Sequence, residues 1–194
     1  DAVQQWFGIT TVPPPSENDL LQFLGITVSP IFEETAFRLI LIGIPLFLWY
    51  SKKGSAGLFF RSLWNPGNLQ IADSKKAVVL VVAVGVFFGI SHIISDQSWG
   101  NGKFAQAAIS GIIIGWVYYK YGFVASTLIH WSTNYLIYSY GYFVSSVNDI
   151  PVSTAFSHSL LETIEILFVI TGVMSIAMML IEYRQKRIRG LTPV

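Results

Sequence analysis

The chain has 194 residues, of which 53% are hydrophobic and 12% are charged, about half the charged fraction of a typical soluble domain. Such hydrophobicity excludes a disordered chain, the lack of cysteine excludes a disulfide scaffold, and a net charge of +1 gives no sign of a nucleic-acid partner. We therefore expect a single membrane-embedded domain, 1–194, in the cell membrane as a multi-pass protein.

The hydropathy pattern predicts five spans, because a transmembrane helix needs about 20 mostly apolar residues. Their approximate bounds are 20–50, 77–94, 104–119, 123–147 and 160–183. In fold class the chain is predicted to be all-α, a polytopic transmembrane helical bundle.

The first segment is the longest and contains Pro30. Ser16 is a suitable N-cap, so a single helix would run from there to Tyr50 with a kink at Pro30. Such a helix would be roughly 50 Å long, which is too long for an untilted span. We therefore expect it to be broken or strongly tilted.

The loop charges predict the orientation of the helices. The loop 51–76, the turn 120–122 and the tail after Tyr183 hold ten of the twelve basic residues, and alternating spans place all three on one side. The positive-inside rule makes that side cytoplasmic. Within the first loop, the aromatic and leucine residues of 58–64 precede Asn65-Pro66-Gly67, which predicts a short interfacial helix ended by a turn.

Small residues recur at intervals of four in the second and third predicted spans. This spacing places them on one face of each helix, where they let two backbones approach closely. We predict that they pack the two helices together; the residues are Gly85, Gly89, Ala107, Gly111 and Gly115.

Ionisable residues inside the first span are the strongest functional signal, because each is costly in hydrocarbon. Glu34 and Arg38 are four residues apart, so they share a helix face and form an ion pair. Glu33 is rotated about 100° from Glu34 and has no partner on its own helix. It is therefore either protonated or matched by another span, a setting that suits acid–base chemistry.

Two further predicted spans carry polar residues. His92 lies near the end of the second span, and His130 and Asn134 lie four residues apart on one face of the fourth. Together with Glu33, these residues require one shared polar cavity inside the bundle. Serine–histidine–aspartate catalysis fits less well, because the spans contain no aspartate to complete a triad.

The order Glu33-Glu34-x-x-x-Arg38, Phe88-x-x-x-His92 and His130-x-x-x-Asn134 resembles the CPBP family of intramembrane proteases, which includes the type II CAAX prenyl endopeptidases and bacteriocin-processing proteins. The resemblance covers roughly residues 30–136. It implies an intramembrane endopeptidase that hydrolyses a peptide bond of a membrane-associated or prenylated peptide or protein substrate.

Residue roles also follow from the resemblance. It implies that Glu33 activates the water with His92, that Glu34 held by Arg38 orients the site, and that His130 and Asn134 stabilise the oxyanion. No cofactor is required by this scheme. Two histidines and a carboxylate are also a candidate Zn²⁺ set, with Glu33, His92 and His130 as ligands.

Two other functions remain open at the level of sequence. The same fold would serve as a non-catalytic scaffold or subunit of a membrane protein complex. Intramembrane Glu and His residues also build proton relays in transporters, although the chain has no visible inverted repeat.

Overall fold

The structure is a computed structural model, and it describes residues 18–52, 54–94, 102–156 and 158–188. These described residues form helices and no strand, which confirms the all-α prediction. They fall into two compact units, the first ending at Ser139 and the second beginning at Tyr140. All six predicted site residues lie in the first unit.

The described residues contain eight α-helices, and helical structure occupies all five segments predicted as spans. The α-helices are α1 (Asp19–Glu34), α2 (Ile44–Tyr50), α3 (Ala56–Trp64), α4 (Lys75–Ile94), α5 (Gly102–Tyr121), α6 (Phe123–Asn148), α7 (Val152–Ala155) and α8 (Ser159–Ile188). A π-helical segment, Thr35–Gly43, joins α1 to α2, and the short 3-10 helix Pro66–Leu69 follows α3.

The long first helix changes its hydrogen-bonding pattern at Thr35 and not at Pro30, the predicted site of a kink. Asn18 is its N-cap, with Oδ1 accepting a hydrogen bond from the Leu21 N–H at 3.1 Å, whereas the predicted cap Ser16 lies outside the described residues. Helix α1 continues through the buried Pro30 without a break. The change comes five residues later, where the chain enters the π-helical segment.

The apolar core of the first unit lies where α2, the start of α4 and the end of α5 meet. Tyr118 is fully buried there, and its Oη donates a 2.7 Å hydrogen bond to the Leu63 carbonyl. This bond attaches α3, the helix predicted within the loop 51–76, to the end of α5. The buried members of the core are Ile42, Leu46, Leu69, Ala77, Val81, Val84, Tyr118 and Tyr119.

Close contact between α4 and α5 depends on the predicted small residues. A Cβ atom on Gly85 would lie 2.6 Å from the Ile112 backbone nitrogen, and one on Gly89 would lie 2.8 Å from the Phe104 carbonyl oxygen. Backbone atoms cannot move aside as a flexible side chain can. The two helices therefore pack at a separation that only glycine permits at these positions.

We expect Gly85→Ala to lower the free energy of unfolding by about 1–3 kcal/mol, the usual cost of overpacking a tight contact. Thermal unfolding in detergent micelles measures the effect. Gly25→Ala is the matched control, because a Cβ there meets nothing within 4 Å and alanine favours a helix by about 1 kcal/mol. Equal stability of the two variants would contradict the tight α4–α5 contact.

Two helices among the described residues are long and apolar enough to cross a membrane, judged by length and composition. One is Lys75–Ile94, with a mean hydropathy of 2.6, and the other is Glu162–Glu182, with a mean hydropathy of 2.4. The second belongs to α8, and its side chains are exposed over most of its length. The division of the chain into five spans and a single domain stays a prediction.

Candidate active site

The predicted ion pair between Glu34 and Arg38 is present and fully buried. Arg38 Nε lies 3.1 Å from Glu34 Oε2, and the two side chains are 1% and 0% exposed. Arg38 Nη2 donates to the Gly111 carbonyl at 3.3 Å, and the guanidinium carbon lies 4.9 Å from the centre of the Phe88 ring. Glu34 and Arg38 thus pair their charges in the interior, although Arg38 Nη1 has no hydrogen-bond partner among the described residues.

His130 lies between the two carboxylates of α1. Its Nδ1 is 2.9 Å from Glu34 Oε1, which is hydrogen-bond distance, and its Nε2 is 3.8 Å from Glu33 Oε2. Because a carboxylate oxygen can only accept, the Nδ1 atom carries the hydrogen in this bond. The Nε2 atom is thereby directed at Glu33.

The two adjacent glutamates differ in access to solvent. The Glu34 side chain is 0% exposed and is engaged by both Arg38 and His130. The Glu33 side chain is 27% exposed, and its contact with His130 is too long for a direct hydrogen bond. Glu33 is therefore the carboxylate that can exchange a proton with an incoming molecule.

His92 lies at the end of α4, beside the Phe88 ring. Its Nδ1 donates a 2.8 Å hydrogen bond to the Phe88 carbonyl, so Nε2 is the nitrogen left for another partner. The charges of Glu33 and Lys103 both act on this imidazole. The Phe88 ring contacts His92 at 4.5 Å and His130 at 5.9 Å between ring centres.

Asn134 contacts α1 two helical turns before the glutamates. Its Nδ2 donates to the Ile26 carbonyl at 3.4 Å. In a regular helix that carbonyl would accept from the residue four positions on, which is Pro30 and has no N–H. Asn134 thus supplies a donor that the proline removes, and Ser29 Oγ supplies another at 3.2 Å. The predicted oxyanion role of Asn134 stays a prediction.

Three residues to which the sequence analysis gave no catalytic role interact with the site residues, and one of them, Phe88, belongs to the motif Phe88-x-x-x-His92. Phe88 contacts Arg38, His92 and His130, and the Gly111 carbonyl accepts from Arg38. Lys103 interacts electrostatically with Glu33. A signal existed for Lys103, because it is the single basic residue in the chain segments predicted to lie opposite the cytoplasmic side.

The predicted zinc ligands do not form a metal-binding group in the structure. The part of the chain that the structure describes contains no group of three His, Cys, Asp or Glu side chains placed to hold a metal ion. His130 and Glu33 lie together, whereas the His92 imidazole is hydrogen-bonded to the Phe88 carbonyl. In the described residues, these three side chains therefore do not fit a zinc site.

Fold and site together define a class: an all-helical protein in which carboxylates, imidazoles and one guanidinium lie grouped between helices. A family model described as type II CAAX prenyl endopeptidase Rce1-like matches residues 16–136, which is more than half of the chain. The chain belongs to this family, and membership supports a protease of the CAAX type. The matched range includes all six predicted site residues.

Neither the search of curated proteins nor the search of solved structures found a match for this chain.

Proposed function

We propose that the protein is an intramembrane endopeptidase that cleaves a membrane-associated or prenylated peptide with a water molecule activated by Glu33. The observation that carries the proposal is the His130 imidazole, held by the buried Glu34 and directed at the accessible Glu33. A carboxylate with a positioned imidazole beside it is a general-base arrangement. Family membership supports peptide hydrolysis as the reaction.

In the proposed reaction, a water lies within hydrogen-bond distance of both Glu33 Oε2 and His130 Nε2, which their 3.8 Å separation allows. Glu33 takes a proton from the water as its oxygen attacks the peptide carbonyl carbon. The tetrahedral intermediate then breaks its C–N bond, and Glu33 returns the proton to the leaving amine. His92, whose Nε2 is free of the Phe88 bond, is the second group proposed to orient the water.

Glu34 and Arg38 act in this scheme as positioning residues. Glu34 accepts the Nδ1 hydrogen of His130 and so fixes which nitrogen faces the reaction. Arg38 holds the Glu34 carboxylate in that orientation through its own contact at 3.1 Å. Asn134 and His130 are the proposed oxyanion donors: Asn134 also donates to the Ile26 carbonyl, and His130 donates from Nε2 in its imidazolium form, in which both ring nitrogens carry a hydrogen.

We propose a multi-pass location in the cell membrane, with the basic loops on the cytoplasmic side. The apolar helices Lys75–Ile94 and Glu162–Glu182 support it. So does the outer face of α5, where Ile109, Ile113 and Trp116 are exposed. Apolar surface on this scale is costly in water and is stable against lipid or another protein.

Chelation separates a glutamate mechanism from a metal mechanism. We expect the protein, reconstituted in lipid vesicles, to cleave a prenylated peptide at an unchanged initial rate after treatment with EDTA and 1,10-phenanthroline. Mass spectrometry of the two fragments measures the rate, and a zinc endopeptidase treated in parallel is the control. If chelation lowers the cleavage rate more than about tenfold and added Zn²⁺ restores it, a metal and not Glu33 activates the water, because a bound Zn²⁺ activates water directly. No cleavage before or after treatment would count against a peptidase.

A further inference from the structure

Exposed basic side chains lie where α3, the start of α4 and the end of α5 meet, since Ala77 and Tyr118 share one core and Tyr118 bonds to Leu63. These basic residues are Lys52, Arg61, Lys75, Lys76 and Lys120. Their acidic neighbour in the loop 51–76 is Asp73, whose carboxylate accepts from the Lys75 backbone N–H at 3.0 Å. Within the described residues, none of these five side chains forms an ion pair with an acidic one.

Helix α3 adds exposed aromatic side chains at the same end. Phe60 is 68% exposed and Trp64 is 57% exposed, and the exposed Arg61 lies about 60° around the helix from Trp64. The Trp64 ring also contacts Phe123 at 5.5 Å, at the start of α6. Large aromatic rings beside basic side chains are typical of a helix lying in the headgroup region of a membrane.

Helix α3 is fixed in position. Its first turn is capped by Ser55, whose Oγ accepts from the Leu58 N–H at 3.2 Å. Its last turn receives hydrogen bonds from Tyr118 Oη at the Leu63 carbonyl and from Asn68 Nδ2 at the Arg61 carbonyl. The aromatic and basic side chains are therefore presented on a rigid support, and binding a ligand there orders little additional backbone.

We propose that this basic–aromatic surface, formed by Phe60, Arg61, Trp64, Lys75 and Lys76, binds the headgroups of anionic phospholipids. The inference rests on the proposed membrane location and not on the proposed peptidase chemistry. The positive charges face lipid phosphates while Phe60 and Trp64 enter the acyl-chain boundary. Each basic residue near an anionic membrane surface contributes about a fivefold preference, so several together enrich such lipids around the helix.

A single fluorescent label tests the proposal, because the chain has no cysteine of its own. Gly57→Cys places the label one turn before Phe60 and Arg61, at an exposed site where an added Cβ meets nothing within 4 Å. The labelled protein is placed in nanodiscs of phosphatidylcholine and phosphatidylglycerol, with bromine on the acyl chains of one lipid or the other. Contact with brominated lipid quenches the label.

We expect brominated phosphatidylglycerol to quench the label about three to ten times more strongly than brominated phosphatidylcholine at equal mole fraction, because several basic residues act together. The excess should disappear in the Arg61→Gln, Lys75→Gln, Lys76→Gln variant and shrink at 0.5 M NaCl. Equal quenching by the two lipids would overturn the proposal.

A label at Val82→Cys, on the exposed side of α4, reports insertion in the bilayer and should be quenched equally by both lipids. Quenching at this position without any at Gly57→Cys would also overturn the proposal, because α3 would then face water or protein. Absence of quenching at both positions would overturn the membrane location itself. None of these measurements depends on peptidase activity, so failure of the lipid-binding proposal is distinguishable from failure of the reaction mechanism.

Discussion

Glu33→Gln is expected to lower the turnover number for peptide cleavage by about 10³- to 10⁴-fold, near the upper limit of what a general base contributes. The amide has the size of the carboxylate but cannot accept the proton of the attacking water. The buried network of Glu34, Arg38 and His130 stays intact, so the loss should be one of rate rather than of folding. Initial rates with reconstituted protein, normalised to the amount of folded protein, measure it.

Two variants place this result in context. Glu162→Gln makes the same chemical change in the first turn of α8, outside the family-matched range, and should leave the rate unchanged. Asn134→Ala should reduce the rate by about 10²–10³-fold if the amide also donates to the oxyanion. Full turnover by the Glu33→Gln protein would contradict the mechanism, because Glu34, the other described carboxylate beside His130, is already engaged by Arg38.

Arg38→Ala is expected to lower the free energy of unfolding by about 3–5 kcal/mol, the cost of removing one partner from a buried ion pair. The change leaves the Glu34 carboxylate without its counter-ion at a position with no exposure. It also removes the hydrogen bond to Gly111 and the contact with Phe88. Denaturant unfolding in detergent micelles gives the difference from the unmodified protein.

A double-mutant cycle separates the ion pair from the packing of the arginine side chain. Because Glu34→Gln removes the charge that Arg38 compensates, the double variant should be more stable than the sum of the single losses predicts. We expect a coupling energy of about 0.5–3 kcal/mol, the range found for residues in direct contact. Strictly additive losses would show that the two charges do not stabilise each other.

The sequence predicted the helices and the ion pair because both depend on local periodicity. Stretches of about 20 apolar residues identify a helix without knowledge of its neighbours. Likewise, the spacing of Glu34 and Arg38 specifies a shared face as soon as the segment is helical. The same reasoning identified the small residues at which α4 and α5 approach each other, since their period of four defines one side of a helix.

The arrangement of the site across helices was not predictable in the same way. Counting along the helix axes places Glu33 about 27 Å and His130 about 12 Å from the basic ends of their helices, a difference of about 15 Å. The structure has their side chains 3.8 Å apart. Axial rise gives no information on how helices tilt and cross, so it could not predict this contact.

The missing N–H of Pro30 explains why Asn134 can donate to the Ile26 carbonyl, but it could not have predicted this contact. The sequence shows that Pro30 leaves the Ile26 carbonyl without its helical donor. It does not show which neighbouring helix supplies a replacement, because that depends on the packing of α6 against α1. Helix α1 continues through Pro30, the predicted site of a kink, and there the Asn134 and Ser29 side chains donate to the vacated Ile26 carbonyl.

The π-helical segment Thr35–Gly43 changes the direction, around the helix axis, in which the side chains of α2 point relative to those of α1. A π turn holds more residues than an α turn, so side chains beyond Gly43 point in directions that an uninterrupted α-helix would not give them. Before the segment, the helix presents its carboxylates to the polar face of α6. At its end and beyond it, Ile42 and Leu46 pack into an apolar core. The wide turns therefore rotate the side chains that follow them, and one continuous helix contacts a polar neighbour at one end and an apolar core at the other.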